Sequence, residues 1–284
     1  MLHSYDLFQV WKEPGVSDAD VASSLKATFG IEVAGFESTL GVFMANLGTL
    51  SRHVTVHQGD ITKMTWPGRP VELLFIDICK MEAVWKHMVA MFYRSLIPGH
   101  SIVIHQDWHH AMLPYIHIGQ EAFAEYFEVV VRKADDSAAF RLVRRIPDRV
   151  IDDVALHGLP EEQQLALMDR VIARFEGESR FLRLSKAMLL MQIGRRDDAS
   201  QLLHETSVNA GEAMTHEERR YFEGSLGAVT RAIEGPGLSK PEGWDESAYL
   251  AANDDAREAV ERGVFESGLV HWSRHGRWMG RPLR

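Results

Sequence analysis

Cysteine is almost absent: Cys79 is the single one in 284 residues. That excludes an intrachain disulfide and a cysteine-based zinc cluster. It suits a reducing cytoplasm. Long hydrophobic runs are missing as well. No stretch approaches the roughly 18 apolar residues that span a bilayer. The opening MLHSYDLFQVWKEPG has no basic segment followed by an apolar one, so it does not read as a secretion signal. A surplus of positive charge is lacking too. Lys and Arg number 31 against 40 Asp and Glu, a formal net charge of -9. Proteins that bind nucleic acid present a basic field to the phosphates, so broad nucleic-acid binding is excluded.

What is present is an ordinary globular composition, 45% hydrophobic and 25% charged, long enough for one large or two smaller domains. Up to about residue 147, strand and helix signals alternate. LHSYDLF (2–8) is a short strand, and Ser17 caps a predicted helix from Asp18 to Phe29. Glu37–Leu47 is a second helix and HVTVHQGD (53–60) an alternating strand. VELLFID (71–77) and SIVIHQD (101–107) are nearly all apolar, as expected of parallel strands covered on both faces. Between them Met81–Leu96 repeats apolar residues at helical spacing, and Leu113–Tyr126 is a further helix. FEVVVRK and AAFRLVRRI flank the turn ADDS (134–137), a β-hairpin. The order predicts an α/β domain with a mostly parallel sheet over residues 1–147.

From 150 to 234 only amphipathic helix patterns remain. LRLSKAMLLMQIGRRDDASQLL (182–203) breaks at Gly194-Arg195 and resembles one tetratricopeptide-type helical pair, a surface for a protein partner. EGPGLSKPEG (234–243) reads as a linker before a small helical module at 244–284.

In parallel sheets ligands bind at the carboxyl ends of the strands. Asp6, Asp60, Asp77 and Asp107 all fall there. Asp6 either accepts ribose hydroxyls or forms a turn. Asp60 either borders an adenine or shares a turn with Gly59. Asp77 and Asp107 either cap helices or work as a pair, on a divalent metal, a substrate hydroxyl or a proton. His105, His109, His110 and His117 follow no established zinc spacing. An imidazole near a hydroxyl can act as a base, and a solvated loop histidine is the plain alternative. Lys80 either approaches an anionic group or sits exposed at a helix start; Cys79 reads as core.

HSYDLF, VTVHQGD, VELLFID and LIPGHSIVIHQDW, in this order, resemble the class I S-adenosylmethionine-dependent methyltransferases, above all those acting on sugars and small molecules. The resemblance covers residues 1 to about 146. It implies a Rossmann-like domain in which Asp6 holds the cofactor ribose, Asp60 lies beside adenine, Asp77 after the fourth strand is a third cofactor-binding acid, and Asp107 follows the fifth strand. Asp107, or His105, His109 or His110, would take the acceptor proton, and magnesium is possible at Asp77 and Asp107. Three departures stand out. The glycine-rich first motif does not precede Leu2, IDICK replaces the usual acid-glycine-histidine motif, and PGH replaces PGG. Either a longer protein begins upstream of Met1, or the domain is degenerate and no longer binds cofactor.

The tail, YLAANDDAREAVERGVFESGLVHWSRHGRWMGR, is similar to a short helical module found in bacterial proteins with glycan-modifying domains. Tyr249, Val260, Phe265, His271 and Trp272 are its expected miniature core. The implied function is O-methylation of a sugar or other small hydroxyl compound in surface-glycan metabolism. The rivals are a non-catalytic interaction scaffold and a nucleotide-sugar-binding protein.

Overall fold

The computed structural model describes residues 2–6, 8, 39–208, 214–234, 241, 243–261, 267–272 and 276. The chain divides into two compact units, Met1–Thr65 and Trp66–Arg284.

In the first unit, β1 (Leu2–Asp6) and β2 (Val54–Gln58) form a parallel pair with Leu2 opposite Val54 and Asp6 opposite Gln58. Helix α1 (Leu40–Leu47) precedes β2, and Phe8 packs on its Phe43 at 5.2 Å between ring centroids. The helix predicted over Asp18–Phe29 lies outside the described residues.

The second unit is a mixed α/β structure. Its strands are β3 (Leu73–Ile76), β4 (Ile102–His105), β5 (Phe127–Ala134) and β6 (Ser137–Leu142), in the order β3-β4-β6-β5. β3 and β4 are parallel, joined through α2 (Glu82–Phe92), while β6 runs antiparallel between β4 and β5. The predicted hairpin therefore forms, and its turn rests on Asp135 at φ 55°. Asp tolerates that left-handed conformation better than most side chains, and two-residue hairpin turns require it. The Pro98-Gly99 stop forms as well. Gly99 has φ 76° and donates to the carbonyl of Leu142 at 2.7 Å, which fixes the start of β4 against the end of β6.

One expectation needs correction. β3 is not covered on both faces among the described residues. Leu74 and Ile76 are buried, but Leu73 and Phe75 are 58% and 55% exposed. The register explains the pattern. Leu74 and Ile76 align with Val103 and His105, which are buried, and Leu73 and Phe75 align with Ile102 and Ile104, which are only half-buried. The covered side is the one reached by α3 (Pro114–Ala122), whose Gln120 bonds His105. Apolar content alone does not separate a two-sided strand from a one-sided one.

After Pro147 the described chain is helical: α4 (Asp148–Asp152), a π-turn (Asp153–His157), α5 (Glu161–Arg174), α6 (Ser179–Gln192), α7 (Arg196–Val208) and α8 (His216–Glu234). Helix α6 buries residues around most of its circumference, from Phe181 to Met191, as a central helix of a bundle must. It stops at Gly194, whose φ of 81° lets Arg195 donate back to the carbonyl of Leu190 at 2.8 Å. The helical region and the sheet share one core. Trp108 stacks edge-on to Phe140 of β6 at 4.8 Å and touches Phe175, after α5, at 5.1 Å. Glu121 of α3, 4% exposed at its side chain, receives both arms of Arg174 of α5 at 2.9 and 3.0 Å.

The last module contains α9 (Glu246–Ala252), α10 (Asp254–Glu261) and α11 (Gly268–His271). Tyr249, Ala256, Leu269 and Trp272 form a small core beside Trp244 and Leu250. His271 is held by the Tyr249 hydroxyl at 2.8 Å. Val260 instead packs against the bundle core with Ala259 and Val270, and Phe265 lies outside the described residues. Among the described residues no helix is long and apolar enough to cross a membrane.

Candidate functional site

The parallel register of β3 and β4 sets Ile76 opposite His105, and Gln106 donates its backbone N–H to the carbonyl of Ile76 at 3.0 Å. The residues that follow, Asp77 and Asp107, therefore leave the sheet at the same end. Lys80 joins them. Its Nζ lies 2.5 Å from Asp107 Oδ2 and 3.4 Å from Asp77 Oδ1. With its amide nitrogen turned toward the acids, Gln106 donates to Asp77 Oδ1 at 2.8 Å and to Asp107 Oδ1 at 3.1 Å. The result is a closed cluster of two carboxylates, one ammonium and one amide. Asp107 is the inner member, 9% exposed at its side chain, whereas Asp77 is 54% exposed.

This arrangement does not fit a magnesium centre. Magnesium is held by one or two carboxylates with open oxygens, water completing its shell. Here the Lys80 ammonium occupies the place between the two carboxylates, and among the described residues no three His, Cys, Asp or Glu side chains converge as a metal cage.

The three candidate histidines have different surroundings. His105 points into the core, 1% exposed, with Nε2 3.2 Å from Gln120 Oε1; burial pushes its imidazole down to about 4. It is neutral at ordinary pH and does not open to solvent. His109 is 1% exposed and lies edge-on to Phe181 of α6. Its backbone N–H donates to the carbonyl of Asp136 at 3.1 Å, which ties the loop after β4 to the hairpin turn. His110 is half-buried, and burial lowers its pKa. Its Nδ1 accepts from the backbone of Met112 at 3.3 Å. The neutral tautomer assigned from that bond carries its proton on Nε2, so the ring offers a donor rather than a base. His117 is structural: it is buried, meets the carbonyl of Trp108, and lies 3.0 Å from Ser185 Oγ of α6. Cys79 is core, its thiol pushed up to about 12 by burial.

A cleft of about 880 Å³ opens beside Lys80, His109 and His110. Its other walls come from the hairpin turn at Asp135 and Asp136 and from α6 and α8 through Phe181, Arg220 and Tyr221. Lys133 of β5 reaches Glu218 of α8 at 2.8 Å, and with Thr215 holds that carboxyl down to about 2. Burial, and then the nearby Asp136 carboxylate, raise the Tyr221 phenol above the usual range. Gln106 was visible only as the neighbour of Asp107. Tyr221 and Glu218 carried no sequence signal, because more than 80 residues separate them from the strands they meet.

In the first unit, Asp6 ends β1 and Asp60 lies just past β2, and Gly59 donates to the carbonyl of Asp6 at 3.0 Å. Asp6 Oδ1 accepts from the backbone of Phe8 at 2.6 Å. Asp60 caps a 3-10 turn through Thr62, whose N–H and hydroxyl lie 3.0 and 2.7 Å from Oδ1, and these bonds lower its pKa. Both acids thus have a local structural role, and each carboxylate retains acceptor capacity beyond it.

Comparison with protein-family models, with curated proteins and with solved structures gives no match.

Proposed function

We propose that the chain is an S-adenosylmethionine-dependent O-methyltransferase-like protein acting on a sugar or small hydroxyl compound. The observation that carries this reading is the placement of acids on the sheets. Parallel β3 and β4, followed by a terminal antiparallel hairpin, bring Asp77 and Asp107 to one end, where their partner Lys80 lines a cleft. Parallel β1 and β2 bring Asp6 and Asp60 to their own carboxyl ends. Both features accord with the Rossmann-like methyltransferase order that the sequence resembles.

On this reading S-adenosylmethionine supplies an electrophilic methyl on its sulfonium. By the resemblance, Asp6 would accept ribose hydroxyls and Asp60 would border the adenine. The cleft orients the acceptor hydroxyl, and positioning supplies most of the rate. The hydroxyl proton passes to Asp107, and the Lys80 ammonium steadies the oxygen as it loses that proton. The site lies in the cytoplasm and serves surface-glycan metabolism.

Calorimetric titration with S-adenosylmethionine tests the reading. Saturable binding that Asp6→Ala abolishes is the expected result. Absence of binding at millimolar cofactor, by this chain and by a version extended upstream, overturns it. That outcome favours the second reading, a non-catalytic scaffold, for which the exposed Leu73 and Phe75 offer a docking face.

A further inference from the structure

The walls of the cleft have a chemistry of their own. Tyr221 is 37% exposed beside the buried Phe181, with ring centroids 5.4 Å apart. The same cleft is lined by the hairpin turn with two consecutive carboxylates, Asp135 and Asp136. The cleft is lined by Lys80, Lys133 and Arg220 and by Asp135, Asp136 and Glu218, and Asp77 and Asp107 behind Lys80 add two further carboxylates. Two of the cations are already paired, Lys133 with Glu218 and Lys80 with Asp77 and Asp107. His110 adds no charge, since burial keeps it neutral.

An anionic ligand needs unpaired cations, and two of the three here are already paired. What the cleft offers is an exposed aromatic face beside two carboxylates. It suits a neutral polyhydroxylated molecule, whose hydroxyls donate to carboxylates while its C–H face lies on the ring. The volume of about 880 Å³ is at the upper end of the range of roughly 300–1,000 Å³ usual for small-molecule sites, and exceeds the needs of one hexose.

We infer that this cleft binds a neutral disaccharide or glycoside, with Tyr221 of α8 as the stacking platform and Asp135 and Asp136 as hydroxyl acceptors. The inference rests on the sugar-directed reading above and adds that the helical region supplies one wall of the acceptor site. The helices after Pro147 are then part of the binding machinery.

Saturation-transfer NMR with cellobiose, lactose, maltose and methyl hexosides tests it, with glucose 1-phosphate and glucuronate as charged counterparts. The expected result is transfer to the ring C–H protons of at least one neutral saccharide. Tyr221→Ala weakens that binding about tenfold, while Tyr221→Phe, which keeps the ring, stays within about threefold. Asp136→Asn weakens it by about fivefold or more. Circular dichroism establishes that each variant is folded. If Tyr221→Ala does not fold, the Phe and Asn variants and the wild-type panel decide. Silence from every neutral saccharide, tighter binding of the charged probes, or unchanged affinity in Tyr221→Ala overturns the inference. Titration of the same preparation with S-adenosylmethionine separates the two claims. Saccharide binding without cofactor binding removes the methyltransferase reading and leaves this site. Cofactor binding without saccharide binding does the reverse.

Discussion

Lys80 Nζ lies 2.5 Å from Asp107 Oδ2, and this pair closes the carboxyl end of the parallel strands β3 and β4. The partners are unequal, Lys80 being 56% exposed and Asp107 9%. Replacing the lysine therefore strands an inner carboxylate, while replacing both removes a matched pair. Lys80→Met is expected to lower unfolding stability by about 1–2 kcal/mol, moderated by the solvent around the ammonium. Lys80→Met/Asp107→Asn recovers much of the loss. Urea denaturation of the four proteins gives the coupling, expected near 1 kcal/mol, and additivity within about 0.3 kcal/mol would refute the pairing.

Gly119 in α3 faces Trp85 of α2 so closely that an added Cβ would lie 2.1 Å from the indole ring. Two effects of Gly119→Ala oppose each other. Alanine favours a helix interior by about 1 kcal/mol over glycine. Overpacking a rigid buried ring costs about 1–3 kcal/mol, and Trp85 is only 2% exposed, so it has little room to move. The clash wins, and the variant melts several degrees lower. Gly119→Ala/Trp85→Leu should destabilise less than the two single losses summed. A Gly119→Ala protein that melts at or above wild type would show that α2 and α3 are not packed this closely.

How much of this was legible in the sequence depends on range. The hairpin was readable because strand, turn and strand are contiguous, and ADDS supplies a residue that tolerates positive φ. The strand ends at Asp77 and Asp107 were readable because apolar runs stop there. The open face of β3 was not, since LLFI is compatible with one covered face or two. The partners of the acids were hidden for a different reason. Lys80 is near Asp77 in the chain but 27 residues from Asp107, and only the β3–β4 register brings it there. His105 and His109 sit among candidate site residues in the sequence, and no local pattern separates an enclosed imidazole from an open one. The aromatic and acidic walls of the cleft depend on α8 reaching the hairpin turn, a long-range packing event with no periodic signature.

Glu121 offers a sharper test of how the helical region is fixed to the sheet. Its side chain is 4% exposed and accepts both arms of Arg174, with Arg170 farther away at 3.6 Å. Breaking a buried pair on one side costs about 3–5 kcal/mol, because the remaining charge is uncompensated. Arg170 stays within reach, so Arg174→Met is expected near the lower bound, about 3 kcal/mol. Removing both charges with Glu121→Gln/Arg174→Met should be milder than Arg174→Met alone. Chemical denaturation decides, and equal losses would mean that the pair is held by packing rather than by charge.

Two of the enclosed histidines, His105 and His117, make stability depend on pH with a definite sign. Burial lowers His105 to about 4 and His117 to about 3, against about 6.5 in an unfolded chain. Above pH 6.5 both rings are neutral in either state and contribute no slope. Between pH 6.5 and about 4 the unfolded chain binds protons that the folded one refuses, so unfolding is favoured as pH falls. Each group adds up to about 1.4 kcal/mol per pH unit in that window. Folding stability should therefore be flat from pH 8 to 7 and drop from 6.5 to 5, above the range where carboxylates titrate. Urea midpoints measured across that range give the slope. His105→Gln, which keeps the polar contact with Gln120 and cannot titrate, should reduce the slope by close to one proton. A slope unchanged in that variant would place the His105 ring in contact with solvent and remove it from the core beneath the site.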